Sequence, residues 1–89
     1  MTSTAEAVEI KVNVLYFAAL REQAGRDSEN AIVLPGCTAA QLYGTLSVLH
    51  RFTLPQQNLR CAVNHRFVPW DTELEDGATV AFIPPVAGG

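Results

Sequence analysis

One helix pattern, set among short strand patterns, is the feature that most restricts the fold of this 89-residue chain. Residues 38–41, Thr-Ala-Ala-Gln, have the composition of a capping box, in which the Thr and Gln side chains each satisfy a backbone N–H of the first turn. Leu42, Leu46 and Leu49 follow at helical spacing. The sequence therefore predicts a main helix from Thr38 to about His50, with one apolar stripe packed against a sheet.

The segments around this helix have the composition of strands. Residues 9–14 alternate polar and apolar side chains, and three further runs are short, apolar and bounded by turn residues: 31–34, 60–64 and 79–83. A brief edge strand is expected at Phe67 and Val68, and a short helix at 18–24, ended by Gly25. Strands before and after one long helix predict an α+β fold, a ubiquitin-like β-grasp roll with a mixed sheet.

Length and composition indicate a single small domain. Apolar residues make up 48% of the chain, which is enough for a folded core. Residues 1–8 are small, polar and acidic, without the basic start and apolar stretch of a secretory signal. We therefore expect a flexible leader at 1–8, a β-grasp domain at 9–83 and an extended C-terminal tail at 84–89.

Charge and cysteine content argue against several classes of function. The formal net charge is −3 and no run of Lys or Arg occurs, which disfavours nucleic acid and anionic membranes as partners. The apolar stretches are no longer than strands, so no membrane span is expected. Cys37 and Cys61 lie far apart, without the paired ligands of a zinc site, so we predict no metal site and a cytoplasmic protein with free thiols.

The last six residues form a protruding Gly-Gly tail and carry the strongest indication of function. Two prolines end the last strand and keep the chain extended, and two glycines form a tip thin enough for a narrow channel. At about 3.3 Å per residue, such a tail reaches roughly 20 Å beyond the sheet. We predict that the carboxyl of Gly89 is the reacting group and that five residues accompany it into a partner: Pro84, Pro85, Val86, Ala87 and Gly88.

The carboxyl of Gly89 requires activation, because it is ionised at neutral pH and is then a poor acyl donor. Adenylation by ATP would supply AMP as the leaving group, and a sulfur nucleophile could replace AMP to give a thiocarboxylate. Partner enzymes would supply this chemistry, so we expect no bound cofactor and no catalytic side chains in this chain. Residue patterns alone leave open a ubiquitin-like protein modifier and an interaction domain with an inert tail.

Two longer segments and two shorter ones resemble a known family. The longer segments are residues 12–22, Val-Asn-Val-Leu-Tyr-Phe-Ala-Ala-Leu-Arg-Glu, and residues 76–89, which run from Asp-Gly to the terminal Gly-Gly. The shorter segments are 62–64 and 71–74. Together they closely resemble the small subunit of molybdopterin synthase, a MoaD-type sulfur carrier. The chain departs from the family pattern at Ala78-Thr79, where an acidic pair is usual.

The resemblance implies a sulfur carrier for molybdenum cofactor biosynthesis. A MoeB-like enzyme would use ATP to adenylate Gly89, and a sulfurtransferase would convert it to the thiocarboxylate. The tail would then enter a MoaE-type large catalytic subunit, within a heterotetramer, and donate sulfur for the dithiolene of molybdopterin. The alternatives are a carrier for thiamine, cysteine or tRNA thiolation, and a ubiquitin-like protein modifier.

A partner surface is predicted near the tail. Leu15 and Phe17 fall on the polar side of the first strand, and with the family in view we expect them to contact a partner. Arg21 is expected either to be solvated or to pair with a partner carboxylate. The acidic residues of 71–76 are either a solvated loop or a patch that steers a basic partner. The predicted interface consists of Leu15, Phe17, Arg21, Phe82 and Ile83.

Overall fold

The computed structural model describes residues 9–85, so the leader 1–8 and residues 86–89 lie outside the described part of the chain. The elements in chain order are β1 (Ile10–Tyr16), α1 (Ala18–Ala24), β2 (Ser28–Val33), α2 (Ala39–His50), a 3₁₀ turn (Gln56–Asn58), β3 (Arg60–Val63), β4 (Arg66–Val68) and β5 (Thr79–Ile83). The predicted α+β fold, with one long helix and a mixed sheet, is confirmed. No helix in the described range is long and apolar enough to cross a membrane.

The five strands form one sheet in the order β2-β1-β5-β3-β4. β1 and β5 lie side by side and parallel, with Tyr16 opposite Phe82, and every other neighbouring pair is antiparallel. Parallel strands end at the same edge of a sheet. The register therefore brings the end of β1, which leads into α1, next to the end of β5, which leads into the tail.

The core lies between α2 and one face of this sheet. Alternate residues of β1 and β5 point towards the helix and are at most 2% exposed: Val12, Val14, Tyr16, Val80 and Phe82. From α2, the ring of Tyr43 meets that of Phe82 edge-on, with centroids 5.1 Å apart. Because this face is almost entirely apolar, burial of these side chains is the main source of stability of the domain.

The N-terminus of α2 is fixed by its own side chains and by a later loop. Thr38 Oγ1 accepts a hydrogen bond from the N–H of Gln41 at 3.2 Å, and Gln41 Oε1 accepts one from the N–H of Thr38 at 3.0 Å. These bonds confirm the predicted capping box. The N–H groups of Ala39 and Ala40 donate to the carbonyls of Thr72 and Trp70, so the loop before β5 is tied to the helix start.

The predicted apolar stripe of α2 is wrong at one position. Leu42 and Leu46 are buried, but Leu49 is 65% exposed and Tyr43 takes its place in the core. Leu49 lines a groove between α2 and β2, and because β2 is the edge strand of the sheet, no further strand of the described chain covers it. β2 also begins at Ser28, before the predicted start at residue 31, because its polar first half pairs with the end of β1.

Candidate functional site

The tail leaves the sheet from its middle region. β5 is flanked by β1 and β3, and its last residue, Ile83, lies opposite Arg60 of β3. Pro84 is partly buried and Pro85 is exposed, and the two prolines follow the strand directly, as the sequence indicated. Val86, Ala87, Gly88 and Gly89, which were predicted to insert into a partner and react there, lie outside the described residues.

An apolar row crosses the face of the sheet opposite α2. Leu15 of β1 lies opposite Ala81 of β5, Ala81 opposite Ala62 of β3, and Ala62 opposite Phe67 of β4. We refer to these four residues as the open-face row. Phe67 is 56% exposed and Leu15 is partly exposed, whereas the two alanines are nearly covered by their neighbours. The row therefore presents a shallow apolar surface with an aromatic ring at one end.

Phe17 and Arg21 lie where β1 ends. Phe17 is 43% exposed and forms the N-cap of α1, in the position that follows the Tyr16–Phe82 pair. Arg21 is exposed, and its Nε lies 3.7 Å from Asp27 Oδ1, a solvated ion pair that contributes little to stability. Phe17 follows Tyr16 and Ile83 follows Phe82. The structure therefore brings these two predicted interface residues together where the neighbouring strands β1 and β5 end.

Phe82 was predicted to lie at the interface, but its side chain lies in the core. Its side chain is 0% exposed; its ring stacks on Trp70 with centroids 5.8 Å apart and meets Tyr43 edge-on. Consecutive residues of a strand point to opposite faces. Phe82 and Ile83 therefore cannot share one surface, and the prediction was wrong for Phe82.

Two residues that the sequence analysis missed extend the surface. The guanidinium carbon of Arg60 lies 4.1 Å from the centroid of the Phe67 ring, a cation–π contact. Arg60 also lies opposite Ile83, so this contact links the open-face row to the start of the tail. β4 has three residues, which is too short for its alternation to indicate that Phe67 faces away from the core.

The described residues offer neither a metal site nor an activated thiol. Residues 9–85 contain no group of three or more His, Cys, Asp or Glu side chains placed to hold a metal ion. Cys61 is buried, and its thiol donates to the carbonyl of Val68 at 3.3 Å. Burial raises the pKa of both Cys61 and Cys37, which keeps both thiols protonated at neutral pH.

A polar cluster joins β1, β2 and the end of α2. The Glu29 carboxylate accepts a hydrogen bond from the hydroxyl of Tyr16, lies 2.5 Å from His50 Nε2 and pairs with Arg26 at 3.3 Å. Burial alone would raise the pKa of Glu29, but these hydrogen bonds and positive charges outweigh it and lower the pKa. Burial, followed by the bond to Glu29, raises the pKa of Tyr16. The cluster holds α2 on the sheet and is separate from the tail.

Comparison with known proteins extends these observations. The ThiS family profile matches residues 14–89. A molybdopterin synthase sulfur carrier subunit from Mycobacterium tuberculosis is 42% identical over 82 residues, which cover 90% of this chain and 99% of the relative. A putative molybdopterin converting factor subunit 1 from Pyrococcus furiosus superposes with a TM-score of 0.76 at 35% identity, covering 86% of this chain and 99% of that one.

A chain from a Helicobacter pylori complex of subunits 1 and 2 of molybdopterin-converting factor shares the fold. Its TM-score is 0.57 at 24% identity, and the match covers 90% of this chain and all of that one. The family resemblance first noted in the segments 12–22 and 76–89 is thus confirmed along nearly the whole sequence. The chain belongs to the ThiS family, and its relatives include molybdopterin synthase sulfur carrier subunits.

Proposed function

We propose that this chain is the sulfur-carrier subunit of a molybdopterin synthase. The observation that carries the proposal is the 42% identity to a molybdopterin synthase sulfur carrier subunit, along 99% of that relative. The position of the tail supports it as well. The two prolines follow β5 directly, so the described start of the tail lies at the end of a central strand, beside an apolar surface.

In this role the carboxyl of Gly89 is the working group. A partner enzyme transfers AMP from ATP to one carboxyl oxygen and releases pyrophosphate. A persulfide sulfur of the sulfurtransferase attacks the carbonyl carbon and AMP leaves. A thiol then cleaves the S–S bond of the resulting acyl disulfide, which releases the thiocarboxylate and leaves a disulfide behind. After the sulfur has bonded to the pterin precursor, water cleaves the bond between that sulfur and the acyl carbon, which returns Gly89 to a carboxylate, ready for another cycle. The chain contributes the acyl group and its presentation, and the adenylating enzyme and a sulfurtransferase contribute the catalysis.

The open-face row and its neighbours are the proposed docking surface for the large catalytic subunit. Phe17, Phe67 and Ile83 offer apolar area around the start of the tail, and Arg60 and Arg21 offer charge at its border. An apolar centre with a polar rim is typical of lasting interfaces. A partner bound here would receive the tail into its own active site. The existence of an H. pylori complex of subunits 1 and 2 supports a second subunit as that partner.

Pyrophosphate exchange with the MoeB-like adenylating enzyme tests the activation step. With labelled pyrophosphate, ATP and the full chain, we expect label to enter ATP, because formation of the acyl adenylate is reversible. Deletion of Gly89 should abolish exchange and leave the fold unchanged, since β5 ends six residues earlier. Equal exchange with the full and shortened chains would contradict the proposal. Loss of exchange caused by Phe17→Glu alone would indicate that the same surface also binds the adenylating enzyme.

A further inference from the structure

The exposed apolar side chains of this protein form two separate sets. Within residues 9–85, six large apolar side chains are exposed. Phe17 and Phe67 belong to the surface around the tail. The other four surround the outer edge of β2 and are more exposed, at 58–82%: Ile32, Leu34, Val48 and Leu49. A partner on the tail surface would leave this second set uncovered.

A groove connects the members of this second set. It lies between β2 and α2 and has a volume of about 940 Å³. Leu42 and Leu46 line it from the helix, Val33 from the strand, and Leu34, Val48 and Leu49 are also among its lining residues. We call this feature the β2 groove. Beside it, β2 has no strand partner on its outer side among the described residues.

The two edges of the sheet differ in a way that favours pairing at β2. The β4 edge is three residues long, begins with Arg66 and is followed by Pro69, features that discourage the addition of another strand. The β2 edge is six residues long and contains no proline. Its one charged residue, Glu29, is held by Tyr16 and His50. An edge of this kind is a template for a further strand.

The surface around the β2 groove carries little charge: Glu29 is the one charged residue in its lining, and its carboxylate is paired with Arg26 and His50. Residues 30–50 contain no Asp, Glu, Lys or Arg, although the chain as a whole carries a formal charge of −3. Gly44 lines the groove, and a Cβ built there would meet no atom within 4 Å other than the neighbouring backbone of its own helix. Glycine inside a helix costs about 1 kcal/mol relative to alanine, and no contact of the described chain requires it. Close approach of another chain would account for it.

We infer that the β2 edge and the β2 groove bind a second copy of this chain. A two-fold axis perpendicular to the sheet would run the two β2 strands antiparallel and place both α2 helices on the same side. Leu34, Val48 and Leu49 of each copy would then face the groove of the other, and Gly44 would let the helices approach closely. Two copies would meet here with little charge repulsion, because Glu29, the one charged residue of the groove lining, is paired with Arg26 within each copy.

This pairing would leave the start of the tail and the proposed docking surface accessible to other proteins. β5 is separated from the β2 edge by β1, and the open-face row ends on β4 at the opposite edge of the sheet. Each copy therefore keeps its own tail and its own docking surface. The proposal does not depend on sulfur chemistry, so the chain lacking Gly89 is expected to dimerise as the full chain does.

Sedimentation equilibrium of the purified full chain tests the inference. A monomer has a mass of 9.6 kDa, and we expect the weight-average mass to rise towards twice that value, with a dissociation constant below about 100 µM. Val48→Glu and, separately, Leu34→Glu should each weaken association at least tenfold, because each places a charge at the shared surface. Both side chains are mostly exposed, so circular dichroism should show an unchanged fold for both variants.

Phe17→Glu is the matched control, since it adds the same charge at an exposed apolar residue of the other surface and should leave the dissociation constant unchanged. Methyl contacts between labelled and unlabelled copies, observed by isotope-filtered NMR, should involve Leu34, Val48 and Leu49. A mass of 9.6 kDa at concentrations up to about 1 mM would overturn the inference. So would a dimer that Phe17→Glu disrupts and Val48→Glu does not.

Discussion

At the scale of single residues, the geometry separates exposed apolar side chains, which are available to the proposed partner, from those buried in the core. Phe17 and Phe67 are exposed apolar side chains at two ends of one surface, whereas Phe82 is buried among aromatic rings. A few residues near the centre of an interface usually dominate binding, and truncating one of them costs about 2 kcal/mol or more. The role of each aromatic residue therefore depends on the face it occupies.

Phe67→Glu should weaken the complex with the large catalytic subunit by about 30-fold, which corresponds to about 2 kcal/mol. The same substitution at Val48 adds an equal charge to an exposed position of α2 and should leave the affinity unchanged. Isothermal titration calorimetry with the purified large subunit measures both. If the two variants bound with equal affinity, the open-face row would have no part in the interface.

Glu29 provides a prediction about pH. The lowered pKa means that the folded state favours the charged carboxylate, so its stabilisation is present above the ordinary Glu range and is lost as pH falls through the lowered pKa. Glu29→Gln removes the charge, and hydrogen bonds to a charged group contribute about 1.5–3 kcal/mol. We expect the variant to unfold at lower urea concentration at pH 7 and the two proteins to converge under acidic conditions.

Urea titrations at a series of pH values measure this convergence. Glu22→Gln is the control, because Glu22 is exposed and forms no ion pair within residues 9–85. It should leave the pH dependence of the free energy of unfolding unchanged. A constant difference between the wild type and Glu29→Gln at every pH would show that the Glu29 charge is not the source of the stabilisation.

At the scale of secondary structure, the start of α2 is an independent source of stability. Thr38→Ala removes the hydroxyl that caps the N–H of Gln41, and should lower the free energy of unfolding by about 1 kcal/mol. Thr45→Ala changes the same residue type at an exposed helix position, where the hydroxyl bonds only to the carbonyl of Gln41, and should be nearly neutral. Urea denaturation compares the two, and equal losses would argue against the capping box.

The same scale shows what sequence patterns could and could not predict. The capping box and the glycine after α1 are local signals, and they placed the start of α2 and the end of α1 correctly. Leu49 and Phe82 were misplaced because their burial depends on contacts between elements. Leu49 is exposed because the sheet ends at β2, and Phe82 is buried because the pairing of β5 with β1 places it opposite Tyr16, on the face that packs against α2.

The candidate surface, like the fold, could be predicted from the sequence only in part. Phe17 could be identified because it continues the alternation of β1 on the polar side. Phe67 and Arg60 could not, since their contact depends on the pairing of β3 with β4. The reactive end, Gly89, was inferred from tail composition and family resemblance, and it stays a prediction. The boundaries of the leader, domain and tail stay predictions as well.

At the scale of the whole molecule, the residues that stabilise the fold are different from the residue that is proposed to react. The core, the Glu29 cluster and the loop tied to α2 hold the body together, while the proposed chemistry takes place at the end of a chain that extends from the central strand β5. In the proposed role, the ionisable side chains of residues 9–85 are not required to act on a substrate. A carrier of this kind can pass between partner enzymes because only its carboxyl changes.

Intact-mass spectrometry tests this central claim most directly. The chain would be incubated with the adenylating enzyme, ATP, a sulfurtransferase and a sulfur donor, and then measured whole and after proteolysis. We predict the replacement of one oxygen by one sulfur, confined to the peptide that ends in Gly89, and no change in the chain that lacks Gly89. An unchanged mass, under conditions in which pyrophosphate exchange demonstrates adenylation, would contradict the proposed sulfur-carrier function.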